Sequence, residues 1–254
     1  MTRESIGSGM TNLPKPRYLP AGESALTVEF GSTIDPQIHA RVLALDAAIQ
    51  QSGLEGITET VPAYRSLMIH FDPHRVATEA LIEALKALDQ APVTHPTPNT
   101  LWRIPACYDP PHGEDLAEIA ASLDLPQERI IGLHLHAQYR VYMYGFAPGW
   151  TFLGGLPQEL AIPRRLTPRP PAPSGSLLIA GGQALIAGCA MPTGWYAVGR
   201  TPVKVFDLRR EPIFFASVGD EIHFERIDPR TFAEIDAAAE AGELAIWHER
   251  LGEP

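Results

Sequence analysis

Cysteine is scarce in this chain: only Cys107 and Cys189 occur, far apart and in no CxxC pair. That excludes a disulfide scaffold and a cysteine-rich zinc site, and it suits a reducing compartment, so a cytoplasmic location is expected. Basic excess is absent as well. Lys and Arg number 20 against 30 Asp and Glu, a formal net charge of −10, whereas a nucleic-acid surface needs a net basic face. No nucleic-acid partner is expected. No apolar run approaches the ~20 residues of a membrane span, so no membrane partner is expected either. Residues 1–12 lack the apolar stretch of a secretory signal. GxxxxGK[ST], HExxH and GxSxG are all missing. The sequence therefore predicts no P-loop in this chain, no metal site and no hydrolase nucleophile elbow.

What is present is a chain of 254 residues, 45% hydrophobic and 20% charged. That is enough for one large or two ordinary globular domains. Residues 1–17 are expected to form a flexible tail. Residues 24–30 alternate as a half-buried strand. Asp35-Pro36 caps a helix with Ile38, Val42, Leu45 and Ile49 on one face, and Gly53 ends it. Strands are expected at 57–62 and 66–71, and Asp72-Pro73 is expected to start a second helix with Val76, Leu81, Leu85 and Leu88 inward. The order β-α-β-β-α predicts a small ferredoxin-like α/β sandwich over residues 18–92, with its last strand missing or donated from further along. Three prolines without apolar period between Gln90 and Thr100 mark a linker, set at 93–100.

Residues 101–254 read as a strand at 102–108, helices near 113–122 and 126–136, and then short strands separated by glycine and proline. These fall at 139–145, 177–180, 184–187, 196–198, 203–206 and 221–224, a pattern that favours a β-barrel. A helix over 231–242 and a terminal strand or helix continuation at 244–247 close the chain. Asp115, Glu118 and Glu128 fit exposed helix faces.

Candidate chemistry concentrates between Tyr139 and Thr201. An aromatic strand runs into the turn Gly145-Phe146-Ala147-Pro148-Gly149-Trp150. A proline–arginine segment follows, then the glycine turns Gly181-Gly182-Gln183 and Gly194-Trp195, and the basic turn at Arg200. Forked guanidinium donors on stiff backbone suit an anion. Arg164 and Arg169 lead as ligands, Arg165 and Arg200 follow, and the competing reading is ion pairing or stacking on Trp150 and Trp195. His134 and His136 stand about 200° apart on a helix and cannot share a metal. A backbone-held helix-end histidine competes with His134 facing the aromatic strand. Cys189 reads as a small buried thiol.

These residues carry a family resemblance. Residues 139–149, then Phe152-Leu153-Gly154-Gly155-Leu156-Pro157, Pro163-Arg164-Arg165, Thr167-Pro168-Arg169, Gly181-Gly182-Gln183 and Gly199-Arg200-Thr201-Pro202, resemble the allophanate hydrolase subunit 1 family. That family also holds the PxpB subunit of bacterial 5-oxoprolinase and the KipI kinase inhibitor. The resemblance implies a ferredoxin-like N-terminal domain and a cyclophilin-like β-barrel, an α+β chain. It implies a related subunit 2 (PxpC-like) and a third, PxpA-like subunit as partners. The implied activity is ATP-dependent opening of 5-oxoproline to glutamate, with ATP expected for the assembled complex and no cofactor bound by this chain alone. The expected ligand is an anionic small molecule held by Tyr142, Phe146, Gly149, Arg164, Arg169, Gly182, Gln183, Arg200 and His134. A urea-carboxylase-type carboxyltransferase subunit and a KipI-like inhibitor are the alternatives. Three segments depart from the family pattern, one being Pro192-Thr193-Gly194-Trp195 in place of the usual Pro-Gly-Gly-Trp. Ala184-Leu185-Ile186-Ala187-Gly188 stands where many members read Thr-Gly-Ile-Tyr-Pro, and Trp150-Thr151 replaces the common Phe-Pro.

Overall fold

A computed structural model describes residues 14–89, 100–242 and 247–251. The chain divides into two compact units, Met1–Pro96 and Thr97–Pro254. The expected linker at 93–100 apart from Thr100, most of the expected tail and most of the 244–247 segment lie outside the described residues.

The first unit holds β1 (Arg17–Pro20), β2 (Ala25–Glu29), α1 (Pro36–Ser52), β3 (Ile57–Pro62), β4 (Ser66–Phe71) and α2 (Thr78–Leu88). Its sheet runs β1-β2-β4-β3 and every pairing is antiparallel. Period-two alternation puts Leu26 and Val28 of β2, and Leu67, Ile69 and Phe71 of β4, on one face. They pack with Val42, Leu45 and Ile49 of α1 and Leu81 and Leu85 of α2. The Asp35 carboxylate accepts from the Gln37 and Ile38 amides, and Gly53 takes the left-handed conformation that stops the helix.

Two expectations need correction here. The edge strand comes from before the sandwich, as β1, rather than from further along. Helix α2 starts at Thr78, not Asp72, because the Asp72 carboxylate accepts from the His74 amide and closes a separate turn first.

The second unit holds β5 (Thr100–Ala106), α3 (Leu116–Leu123), α4 (Gln127–His136), β6 (Tyr139–Tyr144), β7 (Thr151–Gly154), β8 (Arg169–Ala172), β9 (Ser176–Ala180), β10 (Gln183–Ile186), β11 (Met191–Thr193), β12 (Tyr196–Arg200), β13 (Glu221–Arg226), α5 (Pro229–Glu240) and β14 (Trp247–Arg250). Eight strands form one sheet in the order β12-β9-β10-β7-β6-β13-β5-β14, and β8 pairs with β11. The pairing of β13 with β5 is parallel. Both faces of its centre are buried, which is why β9 reads as continuous apolar sequence. Leu177 and Ile179 join a core with Ile119, Ile131, Val141 and Phe224, while Leu178 and Ala180 face Trp150, Ala187 and Trp195.

The expected closed barrel is not what the ladders form. The sheet is open, and beyond its ladders a single bridge ties Cys107, just past β5, to Arg200 at the end of β12. Two backbone bonds of 2.8 and 2.9 Å make that bridge. Nor is 203–206 a strand. The Arg210 guanidinium takes the carbonyls of Lys204, Val205, Pro212 and Ile213, so two of the acceptors a strand would offer a neighbour are already used. Strand β8 has no counterpart among the expected strands, because Pro170 and Pro171 cannot donate to a ladder. It survives because its pairing to β11 runs through Arg169 and Ala172 alone.

Candidate functional site

Two loops of the second unit carry the residues picked out from sequence, and they are held by different means. The first is the turn 145–150 between β6 and β7. Gly149 sits at φ 73° and Phe146 at φ 67°, a region a bulky L-residue rarely enters. A side chain on Gly149 would overlap Phe206 and meet Gly188 at 3.1 Å, so the turn rests backbone to backbone on Gly188. The Trp150 indole donates to the Cys189 carbonyl at 3.2 Å, and its ring centroid lies 5.1 Å from that of Phe146. Phe146 itself is 74% exposed. Ser174 donates to the Gly188 carbonyl at 2.9 Å, and Arg200 Nε donates to the Ser174 carbonyl at 2.8 Å. Phe146, Gly149, Gly188, Ser174 and Arg200 thus form one connected neighbourhood.

The second loop runs from Ile162 to Arg169. Its anchor is Asp115, which lies just before α3 and is buried rather than on an exposed helix face. The Asp115 carboxylate accepts from Arg165 at 2.9 Å, from Arg169 at 2.5 Å and from the Ala197 amide at 2.7 Å. Glu118 takes a second Arg165 nitrogen at 2.6 Å, and Glu114 pairs with Arg169. Arg165 also lies 4.1 Å over the Tyr196 ring. Partial burial disfavours its charge, but the Glu118 hydrogen bond and the Asp115 and Glu118 carboxylates outweigh this and raise its pKa. Arg165 and Arg169 are therefore committed to ion pairs, the competing reading of these arginines. The rings beneath these arginines are Tyr196 under Arg165 and Phe232 under Arg200, at 5.4 Å, rather than tryptophans. Arg164 differs: it is exposed, and among the described residues no carboxylate pairs with it. Its guanidinium borders Gly194.

Gly181 and Gly182, both at positive φ, make the two-residue hairpin between β9 and β10 with Gln183 opposite Ala180. The Gly181 amide donates to the Ile162 carbonyl at 2.7 Å, which brings this hairpin beside the arginine loop. Gly182, Gln183 and Arg164 are neighbours in that sense, although a hairpin alone accounts for both glycines.

Two expected ligands sit elsewhere. Tyr142 is buried on β6 against Gly154, where any side chain would strike its ring. His134 is 1% exposed and hydrogen-bonds the Tyr108 hydroxyl at 2.8 Å, with its ring among Tyr108, Tyr139 and Phe224. Burial pushes its pKa down to about 3. It does face the aromatic strand, but as a neutral core residue rather than a ligand. His136 is the backbone-held histidine, 2.6 Å from the Gly132 carbonyl.

Cys189 is half-buried, not fully buried. Burial raises the Cys107 thiol pKa, which counts against a nucleophile there. Among the described residues no group of His, Cys, Asp or Glu could hold a metal, and no helix is long and apolar enough to cross a membrane. A cleft of about 350 Å³ opens beside α4, lined by Glu128, Arg129, Gly132, Leu133 and His136. None of the expected site residues lines it.

Sequence reasoning missed Asp115 and Gly188. Asp115 looks like any acidic residue at a helix start. Gly188 carried a signal, since it ends the segment that departs from the expected family pattern and stands where a glycine is needed against Gly149. The departures also fit together: Trp150 and Ala187 lie in one apolar cluster, the larger ring beside the smaller side chain.

Comparison with known proteins agrees with these motifs. The carboxyltransferase domain, subdomain C and D, matches residues 16–216. The B-type subunit of 5-oxoprolinase from Bacillus subtilis (strain 168) is 33% identical over 222 residues, 83% of this chain and 92% of that protein. The solved structure of TTHA0988 is 34% identical with a TM-score of 0.71, and the match covers 80% of this chain but 40% of that longer one. The Kluyveromyces lactis urea amidolyase, at 19% identity and a TM-score of 0.81 over 96% of this chain and 17% of that one, shares the fold. The chain belongs to the family of carboxyltransferase subdomain C and D proteins that includes the B-type subunit of 5-oxoprolinase (PxpB) and allophanate hydrolase subunit 1.

Proposed function

We propose that this chain is the B-type subunit of an ATP-dependent 5-oxoprolinase, active only with a homologous subunit 2 and a third subunit. The observation that carries this is the 33% identity to a 5-oxoprolinase subunit of that type, over 92% of the relative's length. A lactam is a stable amide. Phosphorylating its oxygen with ATP, with ADP as the other product, activates the ring carbon: one water adds and the C–N bond breaks to give γ-glutamyl phosphate, and a second water then releases glutamate and phosphate. ATP belongs to the assembled complex in this reading.

The substrate carboxylate, an anion, is assigned to Arg200, with Phe146 of the same connected neighbourhood as an apolar cover; Arg169 positions the neighbouring loop. In fold terms, residues 18–92 are read as a ferredoxin-like sandwich permuted to take its edge strand from β1. Residues 101–254 are read as cyclophilin-like in an incompletely closed form, with the Cys107–Arg200 bridge bringing the end of β5 to β12. A cytoplasmic location goes with this reading.

The test is co-expression with the neighbouring subunit genes and assay of glutamate from 5-oxoproline. ATP-dependent release that disappears when this chain is left out is the expected result; none from the full set would sink the reading. The matched carboxyltransferase domain favours one alternative, a subunit of a biotin-dependent carboxylase. It requires bicarbonate and a biotin carrier, and a biotin carboxylase gene next door would point to it.

A further inference from the structure

Leu166 is 103% exposed, the highest value among the exposed large hydrophobic residues of the described chain. A lone surface leucine means little in itself. This one stands on a loop that is otherwise fastened. Arg165 is fixed on its N-terminal side by Asp115 and Glu118, and its amide donates to the Gly194 carbonyl at 2.8 Å. Arg169, three residues on, is fixed by the same Asp115. Between and beside these anchors Pro163, Arg164, Leu166, Thr167 and Pro168 are all exposed. Two partly buried arginine forks and two prolines thus hold a tip that presents one bare apolar side chain and one cation with no carboxylate partner among the described residues. A backbone already held in place loses little entropy on binding, so such a tip is suited to be a docking anchor.

We propose that the Arg164–Leu166 tip inserts into a partner polypeptide whose surface offers an apolar cleft edged by carboxylates. The partner chemistry follows from the tip: the leucine needs a dry cleft, and Arg164, left without a carboxylate here, needs one there. The proposal rests on the subunit reading above, which supplies a partner chain of the subunit 2 type. Leu208, 75% exposed on the loop stapled by Arg210, is the matched control, since it is similarly bare but has no unpaired arginine beside it among the described residues.

The experiment titrates the full chain against its purified subunit 2-type neighbour, using wild type, Leu166→Asp, Arg164→Glu and Leu208→Asp. Leu166→Asp is expected to bind at least about 30-fold more weakly, the size of a hot-spot loss. Arg164→Glu is expected to slow association about 10-fold at low salt, an effect that fades as salt rises. Leu208→Asp is expected to bind as wild type, and none of the three should shift the melting temperature, because these side chains are exposed.

Wild-type affinity in Leu166→Asp would overturn the inference while leaving the subunit reading intact. If wild type itself binds no such neighbour, both fall together. If the chain alone forms a dimer that Leu166→Asp dissolves, the occupant is a second copy and the partner proposal is wrong.

Discussion

The turn 145–150 and the loop 162–169 each expose one large apolar side chain, Phe146 and Leu166, yet opposite physics holds them. The arginine loop is fixed by charge: two guanidiniums converge on one buried carboxylate. The aromatic turn is fixed by shape, with glycine at Gly149 and Gly188 letting backbone touch backbone and Phe206 filling the space beside them. A charged anchor fails when one partner is removed, whereas a steric anchor fails when anything is added. That difference orders the experiments below.

The largest effect is expected at Asp115. Asp115→Ala removes the acceptor shared by Arg165, Arg169 and the Ala197 amide, and leaves partly buried charge unpaired. Removing one side of a buried pair costs about 3–5 kcal/mol, and chemical denaturation should show a loss of that order. A loss below about 1 kcal/mol, the scale of a surface ion pair, would mean the loop is held by its prolines and backbone instead. Gly149→Ala tests the other anchor by addition. The left-handed conformation costs an alanine about 1–2 kcal/mol and the overlap with Phe206 adds a similar amount, so about 3 kcal/mol is expected in the same measurement. Indifference to this change would show that the turn is loosely seated.

How much is legible in the sequence follows from the same contrast. Anchors made by local chemistry can be read: Asp35 with Pro36 and Gly53 bracket α1 as expected, because cap, proline and glycine act within one turn of chain. The proline–arginine segment and the glycine turns are visible as a cluster. Anchors made across the chain cannot be read. Nothing in Asp115 indicates that residues 165, 169 and 197 will meet it, 50 to 82 positions later. Arg210 likewise cancels an expected strand by taking carbonyls that only the folded loop brings to it. The sequence allows two roles for His134, and the fold decides between them by burying it under Tyr139 and Phe224.

His134 gives the next prediction, and separates core from loop. Its pKa in the fold is pushed down to about 3 by burial, against an unfolded value near 6.5. Above about pH 6.5 neither state binds the proton, so stability is unaffected. Below it the unfolded chain takes up a proton that the folded chain refuses, and stability falls by about 1.4 kcal/mol per pH unit until about pH 3. At pH 5 that is a deficit of about 2 kcal/mol. His134→Gln keeps a polar partner for Tyr108 but cannot titrate, so its denaturation midpoints should flatten between pH 6.5 and 5. An unchanged slope would move the origin of the acid sensitivity out of this aromatic core.

The smallest effect on stability is expected at Phe146, and its smallness is what makes it useful. Phe146→Gly relieves a left-handed phenylalanine, a gain of about 1–2 kcal/mol. Against that stand the extra freedom of glycine in the unfolded chain, about 0.5–1 kcal/mol, and the lost ring contact with Trp150, about 0.5–1.5 kcal/mol. The contributions nearly cancel, so the melting curve should stay close to wild type. Strain retained at an exposed aromatic, with no stability to show for it, is the pattern of a residue kept for contact with something else. The assembled enzyme should therefore lose 5-oxoproline turnover in Phe146→Gly while subunit association survives, the reverse of the Leu166→Asp result. If turnover holds, the turn is a structural bend, and Arg200 is left to bind the substrate without an aromatic cover.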